Sequence, residues 1–158
     1  MNDEFFMTEA LKEAQRAYEE EEVPVGAVIT HGSKIIARAH NQVRRLKDPT
    51  AHAEMIAITQ AGDYLGYERL NGCRMYVTIE PCIMCAGAII LSRIDSLIYG
   101  AADNNLGAFG SALDIRKSFP ISLEVKSGVL RQECRDLIQN FFKQKRISIT
   151  FKPDTYRD

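Results

Sequence analysis

Two short strings carry residues able to do chemistry: His52-Ala53-Glu54 and, further along, Pro81-Cys82-Ile83-Met84-Cys85. They supply one imidazole, two thiols and a carboxylate. The ligand count decides what kind of metal site this would be. A structural zinc is usually closed by four protein ligands, whereas a catalytic zinc keeps three and leaves the fourth position to water. No fourth ligand stands near these three in the sequence. His52, Cys82 and Cys85 are therefore expected to hold one zinc ion, with Glu54 beside it as the proton-handling group. At about 100° per residue, His52 and Glu54 would point to nearly opposite sides of a helix and converge only beyond its first turn. Cys82 and Cys85, spaced i and i+3, would share a face, and Pro81 suits the first helical position. Two helix N-termini facing one ion would lower the thiol pKa values and favour metal-binding thiolates.

The elements that must position these residues follow from periodicity. Residues 5–22 read as an amphipathic helix with Met7, Leu11, Ala14 and Tyr18 along one stripe. Residues 25–30 and 35–39 read as strands of an antiparallel hairpin turned at His31-Gly32-Ser33. His31 is expected to face solvent, and His40 has only a weak claim on the site. Gly26 lets either a ligand or a packed helix come close. Asp48-Pro49-Thr50 marks a loop before a helix over 52–61. A strand over 74–78, a helix over 81–91 and a strand over 96–100 follow, an alternation that favours parallel neighbours. Ligands in such sheets sit outside the carboxyl ends of strands, where Glu80-Pro81-Cys82 falls. Residues 101–111 read as a loop, 113–117 as a short helix, 122–125 as a short strand and 130–145 as a long helix.

With 158 residues, 46% hydrophobic and 26% charged, the chain is expected to form one domain over 1–158, its tail from about 147 weakly anchored. Its start resembles no secretory signal and no apolar run approaches a membrane span, which points to the cytoplasm. Metal ligation then explains Cys82 and Cys85 better than disulfides do, and Cys73 and Cys134 are expected to be buried thiols. A net charge of −1 excludes strong whole-molecule attraction to phosphate. Local basic clusters remain at Arg44, Arg45 and Lys47, and at Lys143, Lys145 and Arg146, and each taken alone reads better as solvated surface.

Alone, H-x-E and C-x-x-C are weak signals, since C-x-x-C also serves redox and structural sites. Together, with the leading proline, they match the known H-x-E…P-C-x-x-C signature of zinc-dependent nucleobase deaminases. Longer strings narrow the resemblance: Pro24-Val25-Gly26-Ala27-Val28, Asp48-Pro49-Thr50-Ala51-His52-Ala53-Glu54 and Glu80-Pro81-Cys82-Ile83-Met84-Cys85-Ala86-Gly87-Ala88. With these the chain resembles bacterial tRNA adenosine deaminases over about residues 7–146. The resemblance implies a three-layer α/β/α cytidine-deaminase-like fold with a central mixed five-stranded sheet. It also implies a homodimer and conversion of adenosine to inosine at the wobble position of a tRNA anticodon.

Position by position, the resemblance makes His52, Cys82 and Cys85 the zinc ligands and Glu54 the proton shuttle. Asn41 matches a base-binding asparagine, or else caps the loop to Asp48. Val25 would line an apolar wall or pack in the core. Asp103 would meet the flanking nucleotide, accepting from a ribose 2′-hydroxyl, or serve its own turn. Phe141, Phe142 and Lys143 resemble a C-terminal segment that stacks on a base and holds phosphates, although helical spacing sends at least one phenylalanine to the core. Two departures stand out: Asn104, Asn105 and Leu106 where the family often has a lysine, and Leu91 where a polar residue is common. The chemistry implied is attack of water at C6 of adenine, with Glu54 moving the proton to N1 and then assisting loss of ammonia. A deaminase of a free base or nucleoside would use the same centre, and a noncatalytic zinc module that binds RNA is a reading from another class.

Overall fold

The computed structural model describes residues 2–151, with side chains through Arg146. Helix α1 (Asp3–Glu19) starts where the Asn2 side chain accepts from the Phe5 N–H, with Asp3 and Glu4 in the first turn, where the helix dipole favours negative charge. Strands β1 (Gly26–His31) and β2 (Lys34–His40) form the expected hairpin, and His31 is exposed at its turn. Helix α2 (Val43–Leu46), which periodicity does not announce, precedes α3 (Ala53–Leu65). Strand β3 (Cys73–Ile79), helix α4 (Ile83–Ser92) and strand β4 (Ser96–Ala101) follow. A 3-10 turn (Ile115–Lys117), strand β5 (Glu124–Ser127) and helix α5 (Arg131–Phe151) complete the described residues. Beyond Phe151 the weakly anchored tail expected from about residue 147 lies outside the described residues.

The five strands form one mixed sheet in the order β2-β1-β3-β4-β5. β1 is antiparallel to both β2 and β3, whereas β3, β4 and β5 run parallel. Period-two alternation divides the core between the two faces. Ala27, Ile29, Met75, Val77, Leu97 and Tyr99 face α3 and α4, while Val28, Tyr76 and Ile98 face α1 and the start of α5. The three-layer α/β/α arrangement is thus built from strands whose alternate side chains are buried on opposite faces.

Two close approaches set the layer spacing. In α3, Ala53, Ala57 and Ala61 recur at i, i+4 and i+8 and are fully buried, so the helix backbone lies low on the sheet. At Gly26 a Cβ would run into the Ala10 carbonyl and the Ala14 N–H of α1. Gly26 therefore serves helix packing and not ligand approach. The carboxyl ends of β2, β3 and β4 meet at one end of the sheet, beside the amino end of antiparallel β1, and the candidate site lies there.

Candidate active site

His52 and Cys82 are not inside helices but are the cap residues of α3 and α4, each with extended backbone (ψ 152° and 174°). That corrects two expectations. Pro81 lies one residue before the cap, outside the helix. His52 and Glu54 are not constrained to opposite helix sides, because a cap residue does not follow the 100° progression. Glu54 stands in the first turn of α3 and Cys85 in that of α4, so two helix N-termini do face one point. Nδ1 of His52 lies 3.7 Å from Cys82 Sγ and 3.5 Å from Cys85 Sγ, and the three ligand atoms fall within 4.8 Å of one another. Nitrogen and sulfur bound to one tetrahedral zinc at ordinary bond lengths stand about 3.6 Å apart. The residues present fit that ion, and theirs is the one such cluster among the described residues.

Electrostatics agree with the geometry. The hydrogen bond from Cys85 holds the Cys82 thiol down at about 3, with burial opposing. Cys85, the donor in that bond and itself buried, is pushed up. The pair thus favours one negative charge by its own surroundings, and a divalent cation would favour the second. His52 is raised by its hydrogen bond to Cys82. Glu54 is 3% exposed, and burial lifts its carboxyl above the usual carboxylate range. Cys73 and Cys134 are free, buried thiols raised by burial, the latter to about 12, and both stand apart from the cluster. His40 lies between Glu13 and Glu20, at 3.0 and 2.9 Å, outside the centre.

His52, Glu54 and Cys82 form the floor of a cleft of about 1220 Å³. Val25, just before β1, and Asn41, just after β2, are joined by the Asn41 N–H to Val25 carbonyl bond and both line it. Oδ1 of Asn41 accepts from Ala53 N–H at 2.7 Å, so the side chain caps α3 and keeps its amide donors for another partner. Asp103 also lines the cleft, and one of its oxygens accepts from Asn105 and Leu106 N–H within its own turn.

The C-terminal aromatics divide as helical spacing requires. Phe141 is buried with its ring 5.7 Å from that of Tyr18, and Phe142 is 45% exposed. Lys143 is exposed but does not line the cleft, whereas Lys145 does. Sequence reasoning missed Arg131 and Arg135, which line the cleft with Phe142 and Lys145 along α5, and Arg44 from α2 also lines it. The signal was available: positions 131, 135, 138, 142 and 145 repeat near the helical period.

Four likenesses bear on this geometry. The family described as the cytidine and deoxycytidylate deaminase zinc-binding region matches residues 1–101. The tRNA-specific adenosine deaminase of Aquifex aeolicus is 46% identical over 94% of this chain and 99% of its own. That of Bacillus subtilis is 45% identical over 91% of each. A solved structure from work on A-to-I editing by tRNA A34 deaminases at the wobble position superimposes with a TM-score of 0.79. Its identity is 44%, over 84% of this chain and 98% of that one.

Proposed function

Because the chain belongs to the zinc-binding deaminase family and, within it, to the tRNA-specific adenosine deaminases, we propose that it converts adenosine to inosine at the wobble position of a tRNA anticodon. The observation that carries this reading is the His52, Cys82 and Cys85 cluster beside buried Glu54, at the floor of a cleft flanked by Arg44, Arg131, Arg135 and Lys145. At about 1220 Å³ the cleft exceeds the roughly 300–1,000 Å³ that enclose drug-sized ligands, which favours a base presented on a strand over a free base.

Zinc held by His52, Cys82 and Cys85 would supply Lewis acidity, lowering the pKa of a water toward neutrality. Glu54 takes the proton released as water attacks C6 and delivers it to N1 of the adenine. It next takes the remaining proton from the new C6 hydroxyl and passes it to the exocyclic nitrogen, so that the C6–N bond breaks, ammonia leaves and inosine keeps the oxygen. Asn41, with Oδ1 held by Ala53, donates from its amide nitrogen to an acceptor on the base. Val25 supplies the apolar wall. The second oxygen of Asp103 accepts from a ribose 2′-hydroxyl of the flanking nucleotide. Phe142 stacks on an extruded base, Phe141 anchors that helix on Tyr18, and Lys143 joins the cleft cations in meeting phosphates.

The chain acts as one domain and as a homodimer. Helix α4 is apolar on nearly every side, yet Ile83 and Leu91 are 52% and 81% exposed, a pattern expected of a helix that a second copy covers. No helix among the described residues is long and apolar enough to cross a membrane, and a tRNA substrate favours the cytoplasm. The test is to offer the zinc-loaded protein an anticodon stem-loop and, separately, free adenosine, guanine and cytosine. Inosine at the wobble position without release of ammonia from the free compounds is expected. The reverse outcome would make it a free-base deaminase.

A further inference from the structure

Glu80 is 2% exposed, follows the last residue of β3 and precedes Cys82 by two residues. All four of its hydrogen-bond donors come from one loop. Oε1 accepts from Asp103 N–H at 3.2 Å and Ser111 Oγ–H at 2.5 Å. Oε2 accepts from Phe109 N–H at 2.9 Å and Ser111 N–H at 3.3 Å. A carboxylate offers about four lone-pair sites, so none remains for a substrate. Between those anchor points, Asp103, Asn104, Asn105 and Leu106 line the cleft. The two ends of the loop are thus tied to a single buried side chain at the root of the metal-bearing turn.

The loop is fitted to that side chain. At Gly107 a Cβ would run into the Glu80 carboxylate and stand 2.5 Å from the Asp103 carbonyl. Gly107 also bridges to Cys82, and Ala108 N–H donates to the Pro81 carbonyl at 2.9 Å. Glu54, Cys82 and Cys85 depend instead on the starts of α3 and α4. Losing the Glu80 bonds should therefore displace the wall that meets the substrate while sparing the floor that does the chemistry.

We propose that Glu80 is a positioning residue that holds loop 102–111, and with it Asp103, against the substrate cleft by accepting hydrogen bonds from both ends of the loop. This rests on the reading of the cleft as the site of anticodon deamination. Glu80→Gln keeps the shape but turns an NH2 group toward backbone N–H donors, so at least one buried donor loses its acceptor.

The experiment compares wild type and E80Q for zinc content, for kcat and KM on an anticodon stem-loop, and for amide hydrogen exchange across residues 102–111. With E80Q we expect one zinc per chain, KM raised about tenfold, kcat within about threefold and faster exchange in the loop. Wild-type KM with wild-type exchange would overturn the proposal. So would lost zinc or a fall confined to kcat, since either would place Glu80 in service of the metal turn. Should E80Q fail to fold, Ser111→Ala removes one donor and leaves the carboxylate; a KM raised about threefold supports the proposal and an unchanged KM overturns it. Inactivity of the wild type on the stem-loop would refute the functional reading instead, and the exchange result would still decide whether Glu80 holds the loop.

Discussion

The floor and the rim of the cleft are built by different means. Floor residues His52 and Cys82 are the caps of two helices packed on one face of the sheet, and Glu54 and Cys85 stand in their first turns. Rim residues Arg44, Asp103, Arg131, Arg135 and Phe142 come from a four-residue helix, a loop and one face of α5. Floor geometry is local, because the ligands lie within a few residues of helix starts. Rim geometry is tertiary: Glu22 accepts from Arg44 and Arg45 N–H to cap α2, and Glu80 ties down the loop bearing Asp103. Damage to the floor should stop the reaction, and damage to the rim should weaken substrate capture while leaving the chemistry intact.

The largest expected effect breaks the floor. Glu54→Ala should retain one zinc per chain and lower the rate of inosine formation about 10²- to 10⁴-fold, as loss of general acid–base catalysis does. Metal analysis with single-turnover kinetics would check it, and a near-normal rate would remove Glu54 from the mechanism. Cys82→Ser should lose the metal itself, so a chelator titration should strip zinc from that variant well before it strips the wild type.

Rim changes come next. Phe142→Ala should weaken stem-loop binding by about 1–3 kcal/mol, the usual worth of one aromatic–base stack, with kcat largely kept. Fluorescence anisotropy would show it, and an equal loss from Phe141→Ala through unfolding would appear as a lowered Tm. Arg135→Ala should lessen the salt dependence of binding, cutting the slope of log K against log[salt] by about 0.7 if one single-strand phosphate contact is lost. The smallest effect belongs to Asp103→Asn. One oxygen remains for the Asn105 and Leu106 N–H groups, so the turn survives. Preference for ribose over 2′-deoxyribose at the flanking nucleotide should fall by about 1 kcal/mol, as measured by paired substrates.

The same contrast explains what could be read from the sequence. The order of strands and helices was legible because the two periodicities switch cleanly between elements. The metal site was legible because H-x-E and P-C-x-x-C place ligands by short spacing. Even there the cap positions shifted the detail, with Pro81 outside its helix and His52 released from helical geometry. Helix α2 escaped notice because its cap, Glu22, lies about twenty residues earlier and no local residue replaces it. Glu80 looked like part of the zinc motif, yet its partners stand 23 to 31 residues away. Arg131 and Arg135 were hidden by a chain-wide charge of −1, which averages a local basic stripe against acidic surface elsewhere. Gly26 shows the limit of residue type alone: ligand approach and helix contact make the same demand for a missing side chain.

Turnover requires a metal held by three protein atoms with one position left to solvent beside Glu54. X-ray absorption of the zinc-loaded protein tests that directly. Two sulfur donors, one imidazole nitrogen and one light solvent oxygen are predicted, with the oxygen replaced when a tight-binding substrate analogue is added. A third sulfur or a second imidazole that persists with the analogue present would contradict it.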